Sequence, residues 1–128
     1  MSIRIVRLGT PRHPNEGVRI GTVRRPPRGV PKSEHAARDF YDTWLPELAP
    51  TPDLMKLGKA VASDEEWEAF AKKYRAEMAS PEKNRLIDLL AKLSSGSQFS
   101  VGCYCEDESR CHRSLLREIL SEHGADLA

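Results

Sequence analysis

All three cysteines of the 128-residue chain fall within nine positions of the run Val101-Gly102-Cys103-Tyr104-Cys105-Glu106-Asp107-Glu108-Ser109-Arg110-Cys111-His112-Arg113, and a histidine follows directly. A thiol and an imidazole together suit nucleophilic catalysis, with Cys105 or Cys111 as thiolate and His112 as base or proton donor. Adjacent residues on a helix diverge by about 100°, so the expected partner of His112 is Cys105, across the intervening loop, and not Cys111. The same residues also suit a metal: Cys103, Cys105, Cys111 and His112 form a Cys₃His set of the kind that binds zinc. The Cys-x-Cys spacing departs from the usual Cys-x₂-Cys knuckle, so zinc is the alternative and no cofactor the main expectation. A phosphate loop of the Cys-x₅-Arg type does not fit, since Arg110 stands five positions after Cys105 and Glu106, Asp107 and Glu108 would repel the anion. The plainest alternative is packing, because free cysteines are commonly buried and His112 shares a stripe with Leu115, Leu116 and Ile119. A Cys103–Cys105 redox pair would be strained, since side chains two apart on a strand stand at the limit for a disulfide.

These residues need a strand before them and a helix after them. Phe99, Val101 and Cys103 alternate with small or polar residues, which predicts a strand over 98–104 with Cys103 and Cys105 on one face. The three- and four-residue steps from His112 predict a helix over about 111–123, with Gly124 past its end. At such a corner, where strand meets helix at the carboxyl edge of a sheet, α/β proteins usually bind ligands. Helix N-termini also favour anions and lower thiol pKa values.

Upstream, Ile3 to Leu8 predicts a first strand and Gly9 to Gly17 a loop. Val18 to Val23 predicts a second strand, with Val18, Ile20 and either Thr22 or Val23 facing the core. Phe40 to Leu45 is expected to be a third strand, with a helix as the alternative. Thr51 would cap a short helix over Asp53 to Val61. Ser63-Asp64-Glu65-Glu66 is a capping box opening a helix whose core face is Trp67, Phe70, Ala71, Tyr74 and Met78. Ser80-Pro81 would start another, turning Leu86, Leu89, Leu90 and Leu93 inward. Strands separated by helices predict an α/β fold, with residues 1–128 as one domain and a small, largely parallel sheet flanked by helices.

Arg24-Arg25-Pro26-Pro27-Arg28-Gly29-Val30-Pro31 can be neither helix nor ladder strand, and so presents guanidinium groups from a stiff loop. Residues 1–32 carry a charge of +7 and residues 33–128 a charge of −6, although the whole chain is only +1. Arg24, Arg25, Arg28 and Arg113 are therefore the expected holders of a phosphate-bearing ligand, a nucleotide or a nucleic-acid end, beside the Cys/His corner. The alternative is a non-enzymatic module contacting nucleic acid or an acidic protein, with the cysteines as core or zinc staple. The odd cysteine count and the lack of an apolar N-terminal run or of 18 consecutive apolar residues point to a cytoplasmic protein with reduced thiols and no membrane association.

Four landmarks carry a resemblance: the Cys-x-Cys-Glu…Cys-His-Arg corner, the Arg-Pro-Pro-Arg-Gly-Val loop, Trp44 to Thr51, and the helix from Phe70 to Met78. In this order, over nearly the whole chain, they resemble the YeaO-like family, domain of unknown function 488. The resemblance implies a cytosolic single-domain α/β protein and no particular reaction. Pro26 stands where that family usually has tryptophan, and some of its members have Asn-His in place of Cys-His. His112 is accordingly the most transferable of the corner residues.

Overall fold

The computed structural model describes residues 2–128. Four strands, β1 (Ile3–Arg7), β2 (Val18–Gly21), β3 (Thr43–Trp44) and β4 (Phe99–Cys103), form one sheet in the order β1-β4-β2-β3. Every pairing is parallel, although α-helices separate only β3 from β4 and the earlier connections are loops. The helices are α1 (Pro52–Lys59), α2 (Asp64–Met78), α3 (Pro81–Leu93) and α4 (His112–Glu122).

The period of two along the strands divides the sheet cleanly. Ile3 and Ile5 of β1, Ile20 of β2 and Phe99 and Val101 of β4 meet a helical layer of Leu54, Phe70, Tyr74, Ile87, Leu116 and Leu120. The opposite face is covered by loops. There the Arg19 guanidinium, 1% exposed, donates to Glu16 Oε1 at 2.7 Å and Oε2 at 3.0 Å, and Ser100 Oγ donates to Glu16 Oε1 at 2.8 Å. The Tyr41 ring lies so close to Gly21, the register partner of Gly102, that a Cβ at Gly21 would collide with it.

Local signals set the helix ends. Thr51 Oγ1 accepts from the Leu54 N–H, and Ser63 Oγ accepts from the Glu66 N–H at 3.1 Å. Gly124 takes a φ of +84° after α4, a conformation that suits glycine.

Several expectations shift. The third strand shrinks to Thr43–Trp44, because Tyr41 turns into the loop-covered face instead of continuing a ladder. Val18 is 51% exposed at the start of β2, and its neighbour Arg19 is buried in its place through the ion pair. On α3 the buried stripe is Ile87, Leu90 and Ala91, one position round from the expected one, which leaves Leu89 and Leu93 exposed. Ser80 makes no side-chain cap, so Pro81 alone marks that start. Strand β4 stops at Cys103, so Cys103 and Cys105 do not share a strand face: Cys103 is buried and Cys105 exposed.

Candidate functional site at the strand ends

The carboxyl ends of β2 and β4 and the start of α4 meet at a cleft of about 490 Å³. Tertiary hydrogen bonds bring its distant segments together. Tyr104 Oη donates to the Arg25 carbonyl at 2.9 Å, which ties the arginine loop to the residue between two of the cysteines. Arg24 donates to the Pro50 and Ala49 carbonyls, pinning the same loop to the start of α1. Trp44 Nε1 donates to the Val23 carbonyl at 2.7 Å.

The cysteines form a cluster at one end of this cleft. Cys103 and Cys111 are buried with their sulfurs 2.6 Å apart, and Cys105 is exposed. The Cys105 thiol is lowered far below its ordinary pKa. The neighbouring Cys103 and Cys111 thiols are the largest causes, and positive charge at Arg113 adds to them. The other two thiols move the opposite way. Cys103 is raised because the Cys105 sulfur needs its proton, and Cys111 is raised by Cys103, by Cys105 and by burial. The opposed shifts make the exposed member the most acidic thiol of the cluster.

His112 contradicts the expectation from helical geometry. Its Nδ1 lies 3.7 Å from Cys111 Sγ, its own neighbour in sequence. The 100° rule does not apply, because Cys111 is the N-cap of α4 with extended backbone (φ −121°, ψ 148°). Nε2 of His112 faces the Thr22 carbonyl at 2.8 Å. A carbonyl can only accept, so Nε2 carries the proton and the free lone pair of Nδ1 faces the Cys111 thiol. Burial lowers the His112 pKa, against the pull of the Thr22 carbonyl, and keeps the ring neutral. Tyr74 packs beside it, ring centroids 5.7 Å apart, and donates its own hydroxyl to the Leu48 carbonyl at 2.7 Å.

The charges gather differently from the sequence expectation. Arg24 and Arg25 line the cleft, but Arg28 is exposed outside its lining. Arg113 is 5% exposed and also lies outside it. Its Nη2 donates to the Cys105 carbonyl at 2.6 Å and to the Glu106 carbonyl at 3.4 Å, so it holds the cysteine loop from beneath. Their places are taken by Lys56 and Lys59 of α1 and by Arg110. Among the described residues no carboxylate lines the cleft, and of these five cations only Arg110 is ion-paired, with Asp64. The acidic run is occupied elsewhere: Glu106 pairs with Arg7, Glu108 with Arg117, and Asp107 Oδ1 accepts from the Ser109 N–H. None of these three residues lines the cleft. Val23, Met55, Pro52 and Phe70 supply an apolar floor.

Of the four expected zinc ligands, Cys103, Cys111 and His112 have their ligand atoms within 4.8 Å of one another. Two sulfurs bonded to one tetrahedral ion at ~2.3 Å stand about 3.7 Å apart, so an ion would have to spread the Cys103–Cys111 contact of 2.6 Å by about 1 Å.

Sequence reasoning missed Lys56, Lys59 and Tyr104. The lysines sit three apart on the polar side of α1, but spacing gives a face and not what that face overlooks.

Fold and site together define a small parallel α/β protein with a cationic cleft ending in a thiol cluster. The model of the Active DUF488-N3 subclade matches residues 3–124, and the chain belongs to this DUF488, or YeaO-like, family. No curated protein and no solved structure matches the chain. Among the described residues no helix is long and apolar enough to cross a membrane.

Proposed function

We propose that the protein is a small enzyme that holds a phosphate-bearing ligand, a nucleotide or a nucleic-acid end, and transfers or hydrolyses a group on it through the Cys105 thiolate. One observation carries this reading: five cations, four of them without an ion-pair partner among the described residues, line the same cleft as the exposed Cys105 thiol, whose pKa is lowered. A volume of about 490 Å³ suits one small molecule or one terminal nucleotide, not a duplex surface. The apolar floor of Met55 and Phe70 would face a base or other flat group, and the lysines and arginines the phosphate.

Cys105 would attack the electrophilic atom of the ligand and displace the leaving group. Arg113, which donates to the Cys105 carbonyl, fixes the loop that carries the attacking sulfur. Nucleoside mono-, di- and triphosphates and pyrophosphate, added at millimolar concentration, test the reading. At least one is expected to raise the melting temperature and to slow alkylation of Cys105, and both effects should weaken in Arg25→Ala and Lys59→Ala. No shift and no protection with any phosphate compound would overturn it.

A further inference from the structure

Group transfer to one nucleophile needs one sulfur, yet this corner gathers three. Cys103 ends β4 and Cys111 caps α4, both buried, and their sulfurs touch at 2.6 Å. That separation lies well inside the ~3.5–4 Å at which non-bonded heavy atoms pack, so burial as inert small hydrophobes does not account for it. Cys105, two positions past Cys103, lines the same cleft and alone of the three is exposed, and that cleft is lined by five cations and, among the described residues, no carboxylate. His112 Nδ1, unprotonated, faces Cys111. The arrangement is that of an outer attacking thiolate, an inner resolving pair and a base for the resolving step.

We infer that the corner carries a second activity, thiol–disulfide exchange with small anionic disulfides, in which Cys105 is the attacking sulfur and Cys103 and Cys111 take up the two oxidising equivalents. This shares the cleft with the proposed function but not its chemistry, so either can fail alone. In the first step the Cys105 thiolate attacks one sulfur of the bound disulfide; a Cys105–substrate disulfide forms and the other half leaves as a thiolate. In the second, Cys111 passes its proton to His112 Nδ1 and attacks the Cys105 sulfur. The Cys105–Cys111 bond forms, and the second half of the substrate leaves and takes up that proton. In the third, Cys103 attacks the Cys111 sulfur, its proton passing to the first departed thiolate, and Cys105 is expelled as the thiolate it was at the start. One disulfide has become two thiols, and two protein thiols have become one Cys103–Cys111 bond. A dithiol reductant reverses the protein to its starting state.

Oxidised glutathione, which carries carboxylates, and uncharged hydroxyethyl disulfide are the probes. The reduced full chain is mixed with each, quenched in acid, alkylated and mapped by mass spectrometry. With oxidised glutathione the expected product has a Cys103–Cys111 bond and alkylated Cys105, with two glutathione thiols released per chain. The uncharged probe is expected to react at least 10-fold more slowly at low salt, the gap narrowing as salt is added. Cys105→Ser, at an exposed position, is expected to slow internal bond formation about 100-fold while leaving the circular dichroism spectrum unchanged. Three free thiols after exposure to oxidised glutathione would overturn the inference. So would a mixed disulfide that persists on Cys105, or one equivalent of zinc released from the purified chain on alkylation. Nucleotide protection of Cys105 is read separately, so loss of the exchange reaction leaves the phosphate reading standing, and the converse holds.

Discussion

Replacing Cys103 by alanine removes the thiol that ranks first among the causes lowering the Cys105 pKa. A hydrogen bond to a charged acceptor is worth about 1.5–3 kcal/mol, and one pKa unit corresponds to about 1.36 kcal/mol. The Cys105 midpoint should therefore rise by about 1–2 units in Cys103→Ala. The assay is alkylation by iodoacetamide at successive pH values, followed by intact mass and peptide mapping. An ordinary thiol, with pKa ~8.5, alkylates about tenfold more slowly for each unit below that value. The wild-type Cys105 rate is expected to stay flat from about pH 5 to pH 8, with the variant's fall-off beginning 1–2 units higher than the wild type's. Alanine at a site 1% exposed removes only a sulfur, so the fold should survive for the comparison. A wild-type rate that climbs tenfold per unit up to pH 8 would refute the reasoning, because no stabilised thiolate would then exist.

Glu16→Gln leaves the Arg19 guanidinium buried without its counter-charge, which costs about 3–5 kcal/mol. With an unfolding entropy of about 0.27 kcal/mol/K for a chain of this length, the melting temperature should fall by roughly 11–19 °C, and a fall under 4 °C would count against the pair. Burial tends to raise the Glu16 carboxyl, but hydrogen bonds from Arg19 and Ser100 outweigh it and the net pKa is lowered. A lowered folded pKa means stability that is present above the ordinary carboxylate range and lost as pH falls through the folded value. Acid titration of the melting temperature should show this loss in the wild type and less of it in Glu16→Gln. Gly102→Ala would drive a Cβ into the Val6 carbonyl across the β1–β4 ladder, at 2.5 Å, so it should destabilise by more than the ~1 kcal/mol typical of a substitution, as read by urea unfolding. Arg25→Ala should weaken any phosphate ligand and make its binding less steeply salt-dependent, as measured by calorimetry at two ionic strengths.

The strands and helices were legible because their signals are local. Alternation marked β1 and β4, caps at Thr51 and Ser63 marked α1 and α2, and Gly124 marked the end of α4. The cysteine corner was legible as a cluster for the same reason. Its internal geometry was not, since the facing of His112 and Cys111 depends on one residue having extended instead of helical backbone. The arginine loop was legible as stiff and basic, but which guanidinium groups enter the cleft depends on tertiary bonds. Arg24 is anchored by the 49–50 carbonyls, Arg25 through its carbonyl by Tyr104, and Arg28 is exposed outside the cleft lining. Lys56 and Lys59 were invisible because nothing in a helix's own sequence tells what lies opposite it.

Strand β4 lies between β1 and β2, which make no ladder with each other, so Ile3 pairs with Phe99, 96 positions along the chain. During synthesis both early strands emerge long before the one segment that can join them, and only β2 and β3 have a partner to wait with. Contacts this far apart in sequence fold slowly, because loop closure comes before the reward. The nascent chain therefore carries β1 and β2 without their shared partner until β4 has been made. It closes only when the segment that also carries the thiols slides into the gap.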